Sequence, residues 1–295
     1  MSKDRGVALV LVLAITGVLS LLILQIGLTV RQQVGQAQQL TDRVEAELRL
    51  HSRESALLYS LLTRPKTTAP QSIVSGKSDV DNPYATGWNF RGEAFTVDEA
   101  EIRLQDLNGL YPMTRAGANP REFVSLLMAI GVDPVRADRV SKDLQSMLST
   151  QRGVPLQAIG EIAAISDLNP DEVDRLADVA TLYPVGPLNP GTAREQVLAA
   201  RYVGSKLAGL LSARQAGALD EGRWTAITGD FSDDMTTTFQ VGPGFRLEIL
   251  VAFRGVRLRR ESVWTIRSAS PGTPLELWSY RNLDPRGSGS PDDNE

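Results

Sequence analysis

The sequence predicts an α+β fold: one long N-terminal helix packed on an antiparallel β-sheet, with an all-α block inserted in the middle. Three observations carry this. No proline occurs between Met1 and Pro65, and apolar residues there first run without interruption and then recur at helical spacing. Between about Asn108 and Arg201 helix-start signals repeat at short intervals. From about Arg223 the chain changes to apolar runs rich in β-branched and aromatic residues, separated by Gly and Pro.

The first element opens with a short basic-polar stretch, Met1 to Gly6. From Val7 to Val30 there is then no charged residue. At 1.5 Å per residue that run is about 36 Å long, enough to cross a hydrocarbon core of about 30 Å with some tilt. Cleaved secretory signals have apolar cores of about 7–15 residues, so the length favours retention. Gly35, Gln36 and Ala37 form the alternative, a small-residue cleavage site. Lys3 and Arg5 precede the span, which by the positive-inside rule leaves the N-terminus in the cytoplasm and the head outside, with Arg31 the one opposing charge. Helical patterning continues through Val34, Ala37, Leu40, Val44, Leu48, Leu50, Leu57, Leu58, Leu61 and Leu62, predicting one helix over 7–63.

Residues Thr67 to Gly92 are rich in Pro, Gly, Ser, Thr and Asn and read as loop. "EAFTVDEAEIRLQDL" predicts one or two strands. In the block that follows, Asn119-Pro120, Asp133-Pro134 and Asn169-Pro170 each place a capping residue before a proline at the first helical position. Thr192 with Glu195 reads as a further start, of capping-box type. Five helices are expected over 120–131, 134–150, 156–165, 170–182 and 192–203, the first closed by Gly131. The last part predicts strands in "TTTFQVG", "FRLEILVAFRG", "RRESVWTIRSA" and "LELWSYRNL", then a disordered tail over 284–295.

Composition limits the chemistry. The 295 residues carry a formal charge of −4, no cysteine and one histidine, His51. Thiolate metal sites, disulfides and cysteine nucleophiles are absent, a zinc site would need an all-carboxylate shell, and any serine nucleophile has only His51 as a base. "GPGFRLEI" lacks the lysine and hydroxyl of a phosphate loop. Asp171, Glu172, Asp174 and Asp178 cluster at helical spacing, but they fall in the first turns of a helix, where the dipole favours negative charge, and read as a solvated face. Asp233, Asp234, Asp292 and Asp293 sit in turn-like or disordered contexts. Trp88, Trp224, Trp264 and Trp278 read as core or sheet-face residues. "AIGEIAAISDLNPDEVDRLADV" could be a helix-hairpin-helix unit, giving the alternative of a membrane-anchored periplasmic module that binds nucleic acid. From Asp106 to Glu195, however, twelve acidic residues oppose eight basic ones, a net of −4, and phosphate contacts need the opposite sign. No enzyme activity, cofactor or metal is expected.

The short basic leader ending in Gly6, followed by an apolar helix running into a head, resembles type IV pilin-like proteins. The head narrows the resemblance to the minor pseudopilin of the type II secretion system called general secretion pathway protein K. "VDEAEIRLQDLNGLYPMT" stands at that family's strand and acidic-and-asparagine turn. "PLQAIGEIAAI" matches at Pro155, Leu156, Glu161 and Ile162, and "PLNPGTAREQVLAA" at Asn189, Thr192, Ala193, Val197 and Leu198. The resemblance implies a pilin-like αβ head interrupted by an inserted, SAM-like helical domain. It implies cleavage by a prepilin peptidase between Gly6 and Val7, with methylation of the new N-terminus. Most pilins carry glutamate at the fifth mature position, to pair with a neighbour's amine; here Leu11 stands there, as in this branch. The expected organisation is a leader over 1–6, a long helix over 7–63 with a transmembrane part over 7–30, and a first head segment over 64–107. An inserted helical domain over 108–205, a β-sheet segment over 206–283 and the tail complete it. Expected partners are other minor pseudopilins in a tip complex, the prepilin peptidase and the inner membrane; secreted proteins are a further candidate, and nucleic acid is not expected. One departure concerns calcium: the family's acidic loop before "PLQAIGEI" is reduced here to "KDLQSMLSTQRG", leaving Asp143, so no calcium site is carried over.

Overall fold

The computed structural model describes residues 4–64, 66, 90–150, 156–183, 185–217, 219–230, 236–267 and 273–283. The leader residues 1–3, most of the 67–92 loop, Trp88, Asp233, Asp234 and the tail with Asp292 and Asp293 lie outside them. The chain starts with helix α1, Asp4–Thr63, which runs unbroken through Gly35. At 1.5 Å per residue it is about 90 Å long.

Two strands follow, β1 (Arg91–Val97) and β2 (Ala100–Asp106). Both fall within the stretch expected to hold one or two, although β1 begins slightly inside the expected loop. A short 3-10 turn, Leu107–Gly109, leads to β3 (Tyr111–Pro112) and helix α2 (Thr114–Ala118). Helix α3 (Pro120–Ala129) starts as its sequence predicts: the Asn119 side chain accepts the Glu122 N–H, with Pro120 at the first position. It ends in a Schellman motif. Gly131, at φ +92°, donates to Met128 O, and Val132 donates to Leu127 O. Asp133 Oδ1 accepts from the amides of Val135 and Arg136 at the start of α4 (Pro134–Thr150).

The expected 156–165 helix is reduced to a 3-10 turn, Ile159–Glu161, and one helical turn, α5 (Ile162–Ile165). Helix α6 (Pro170–Val179) then passes into β4 (Ala180–Thr181), which pairs in parallel with β3. Helix α7 (Glu195–Ala199) is shorter than the sequence suggests, and Thr192 does not cap it: the N-cap is Arg194, with no side-chain bond. Two more helices occupy a region assigned to the sheet, α8 (Ser205–Gln215) and α9 (Glu221–Thr228). In α9 the β-favouring composition of "RWTAIT" is overridden by an Asp220 cap on Arg223 N–H and by burial of Trp224. The expected strand "TTTFQVG" is also absent, because its Thr237 pairs only with Leu188, at an isolated bridge.

The remaining strands are β5 (Gly244–Phe253), β6 (Val256–Ile266) and β7 (Leu275–Leu283), as expected. The sheet order is β1-β2-β5-β6-β7, antiparallel throughout. Strand β2 pairs with β5 from Ala100↔Val251 to Asp106↔Phe245. The whole segment 107–243 therefore leaves and re-enters the sheet at one end, between neighbouring strands.

Each part has its own core. One sheet face presents Ile102, Leu104, Phe245, Leu247, Ile249 and Val251 to Leu50, Leu57 and Leu61 of α1. Full burial of such side chains contributes about 1.5–3 kcal/mol each. The other face carries the ion pairs Arg259–Glu248 at 2.8 Å and Arg281–Glu261 at 2.9 Å, and its buried Val263 packs with Leu107 and Leu110. The inserted block closes around Tyr111, Phe123, Leu126, Val140, Leu176 and Leu198.

Candidate assembly surface

Helix α1 divides into three stretches by what surrounds it. Gly6, Val7 and Leu11 lie in its first turns, ahead of the residues whose side chains are described. From Val12 to Val30 the described side chains are exposed, including Leu21 at 67% and Ile23 at 70%. Such a length of bare apolar helix fits a single membrane anchor.

Beyond Val34 the helix gains a dry side. Asp42, Ala46, Leu50, Glu54, Leu57, Leu58 and Leu61 are buried. Polar contacts fasten this side where apolar packing ends. Glu54 accepts the Ser262 hydroxyl at 2.6 Å and lies 3.7 Å from an Arg260 nitrogen. Arg49 reaches Glu99 at 3.0 Å and stacks 3.9 Å over the Phe253 ring, while Arg254 reaches Asp42 at 3.4 Å. The other side of the same stretch is left uncovered, with Leu40, Val44, Leu48 and Tyr59 all exposed.

The inserted block is held to the sheet by a buried polar junction at its point of entry. Asp106, fully buried at the end of β2, accepts from Asn108 N–H at 3.0 Å, Thr192 Oγ1 at 2.9 Å, Gly242 N–H at 3.3 Å and Asn189 Nδ2 at 3.4 Å. Burial pushes its carboxyl up from the ordinary aspartate range, and these four donors pull in the other direction. Lys66, 5.2 Å from the Phe245 ring, is pushed down by burial against the attraction of Asp106. Asn108 Oδ1 accepts Gly186 N–H at 2.9 Å, and Gln105 Nε2 donates to Thr192 O at 3.0 Å. Three phrases distant in sequence thus meet here: the acidic-and-asparagine turn, the Asn189–Thr192 turn and the chain returning to β5.

A second tie comes from the sheet. Arg246 of β5 donates to Ala177 O at 2.7 Å and Ala180 O at 2.6 Å, satisfying carbonyls at the end of α6. Desolvation lowers its pKa from the usual arginine value. At the other end of α6, Glu172 corrects the reading of a wholly solvated acidic face. Asp171, Asp174 and Asp178 are exposed, but Glu172 is buried. It takes two bonds of 2.8 Å from Arg136 and completes a capping box with Asn169. The Arg136 guanidinium holds its carboxyl below the usual glutamate range.

Among the described residues no group of three acidic or histidine side chains could hold a metal ion. Trp224 is buried edge-on to Phe239, Trp264 donates to Ser262 Oγ at 2.9 Å, and Trp278 stacks on Tyr183. His51 is exposed on α1. The junction was the part sequence reasoning missed. Its advance signals were a run of polar residues, Gln105, Asp106 and Asn108, at the end of a strand, and the separately noted Asn189 and Thr192, with nothing to say that they meet.

No protein-family model and no curated protein matches the sequence. Among solved structures, the fold is similar to that of a chain in the GspK-GspI-GspJ complex of the type 2 secretion system from enterotoxigenic Escherichia coli. The TM-score is 0.52 at 14% sequence identity, and the match covers 84% of this chain and 99% of that one. The overall fold over most of this chain is thus shared with a component of that complex.

Proposed function

We propose that this chain is a minor pseudopilin of a type II protein secretion system, resembling general secretion pathway protein K, with an assembly role and no catalytic one. The observation that carries the reading is the construction of α1 together with its head. One continuous helix is apolar and exposed from Val12 to Val30 and fastened to an antiparallel sheet over its second half, and the chain between the neighbouring strands β2 and β5 forms a helical block. The fold likeness to a chain of the GspK-GspI-GspJ complex supports it.

On this reading a prepilin peptidase cuts between Gly6 and Val7 and the new N-terminus is methylated. The head lies in the periplasm and the apolar half of α1 in the inner membrane. The chain acts at the tip of the pseudopilus and helps start its assembly with other minor pseudopilins. Two physical features favour the tip. The block rooted at Asp106 and Arg246 adds bulk that obstructs a further subunit, and Leu11 cannot supply the carboxylate that pairs with a neighbour's amine. Mass measurement of the mature protein tests the processing, with a methylated start at Val7 expected. A start at Met1, or at Gln38 after signal cleavage, would sink the reading. Co-purification with the minor pseudopilins of the same system tests the role, and a stable complex of three chains is expected.

A further inference from the structure

A small cavity of about 10 Å³ lies at the root of the inserted block, between β3, the start of α2, the chain 185–188 and the end of α7. That is room for one body about the size of a water molecule. Leu110, Leu188 and Val197 form apolar walls, and none of the lining residues carries a carboxylate. The polar walls are Tyr111, Arg115 and Arg201, together with Asn108, whose side-chain oxygen is taken by Gly186 N–H at 2.9 Å.

Two of these groups are left without a counterpart. Tyr111 is fully buried, yet its hydroxyl has no hydrogen-bond partner among the described residues. Burial first, and then the Glu122 charge, raise its pKa above the ordinary tyrosine value, so the phenol keeps its proton as a donor. A buried hydroxyl with nothing to bond is costly. Arg115 is half-buried, acts electrostatically on Tyr111, and has no ion pair among the described residues. The nearby carboxylate cannot serve it, because both oxygens of Glu122 are engaged. One accepts from Arg201 Nε, the other from Asn119 Nδ2 at 2.9 Å. Two guanidiniums against one engaged carboxylate leave a single positive charge uncompensated.

We infer that this cavity binds one halide ion, chloride first, held by the Tyr111 hydroxyl and the guanidiniums of Arg115 and Arg201. The side chains offered are donors, so the guest must be an acceptor, and the surplus charge calls for an anion. Size then selects among anions. A carboxylate, phosphate or sulfate would drive its further oxygens into the leucine and valine walls, whereas a halide is one sphere slightly larger than water. The half-exposed Arg115 side chain can shift outward to admit it. Bound there, the ion would tie β3, α2 and the end of α7 together. It would do so beside the buried junction, since Asn108 forms one wall of the cavity and also donates its N–H to Asp106 at 3.0 Å.

Thermal unfolding of the full chain in detergent, with chloride or bromide replacing gluconate at constant ionic strength, tests the site. A saturable rise in Tm is expected, as for a ligand bound by the folded state alone. Broadening of the chloride NMR line by the folded chain, reversed by bromide, reports binding directly. Tyr111→Phe keeps the ring against Phe123, 6.0 Å away between centroids, and removes the hydroxyl. It is expected to be at least as stable as the parent in gluconate, where an unmet donor has gone, and to bind halide about tenfold more weakly. Arg115→Gln is expected to lose the halide response, and Arg121→Gln, an exposed neighbour outside the cavity, to keep it. A response that does not saturate, or full halide affinity retained in either Tyr111→Phe or Arg115→Gln, would overturn the inference and make the cavity a site for water. Tyr111→Phe losing the same stability in gluconate as in chloride would make the hydroxyl purely structural and overturn it as well.

Discussion

Asp106 and Thr192 lie 86 residues apart in sequence and meet at 2.9 Å in the dry interior, the hydroxyl of one donating to the carboxylate of the other. The contact closes the point where the helical block leaves β2 and where the chain returns to β5. Replacing Asp106 by alanine orphans four donors at once. Asp106→Ala is expected to cost about 3–5 kcal/mol, since removing a buried charge that satisfies several partners strands them. Thr192→Val removes one donor and is expected to cost about 1–2 kcal/mol. Denaturant unfolding of the full chain in detergent checks both values. Hydrogen exchange should show Asp106→Ala loosening residues 186–192 before the sheet.

The Glu172–Arg136 pair predicts a pH window. Its carboxyl is lowered in the folded state, so its stabilisation is complete above the unfolded glutamate value of about 4.3 and is lost as the pH falls through the lower folded value. Glu172→Gln should therefore be less stable than the parent at pH 7, with the gap closing below about pH 4.3. Thermal unfolding of the two proteins across pH 3–7 measures the gap, and a constant difference would contradict the pairing.

Two leucines on opposite sides of α1 separate folding from assembly. Leu57 is fully buried against the sheet, and Leu57→Ala is expected to destabilise the head by about 2–5 kcal/mol. Leu48 is 64% exposed. Leu48→Ala should change the stability of the isolated chain by less than about 0.5 kcal/mol and weaken the complex. Unfolding curves and co-purification yields, taken together, test the separation.

Gly109 marks a close approach of two backbones. A Cβ placed there would stand 2.3 Å from Thr192 O, a main-chain atom that cannot swing aside. Gly109→Ala is expected to cost about 1–3 kcal/mol through forced separation of the two turns. A Cβ placed at Gly160 would meet nothing within 4 Å, so Gly160→Ala serves as the silent control in the same unfolding assay.

Features with local causes were legible in advance. The unbroken α1 follows from a proline-free apolar run. The starts of α3, α4 and α6 follow from Asn119, Asp133 and Asn169 beside their prolines, and the end of α3 from Gly131. Where reading failed, a distant residue had taken over a side chain. Thr192 has the spacing of a capping residue, but Asp106 claims its hydroxyl. Glu172 has the composition of a solvated face, but Arg136, 36 residues earlier, draws it inward. Trp224 and Ile227 suit a strand, but the Asp220 cap and a buried site for the indole make that segment α9.

By itself the sequence determined a long helix that is apolar and then two-sided, and the alternation of strand-forming and helix-forming stretches behind it. These are properties of neighbours along the chain, set by periodicity and by caps within a turn of each other. Only the tertiary structure decided that β2 and β5 are adjacent and that a polar junction around Asp106 roots the block between them. It also decided which side of α1 stays uncovered. A sheet buries whichever helix face it meets, and that choice depends on partners about two hundred residues away, such as Ser262 for Glu54.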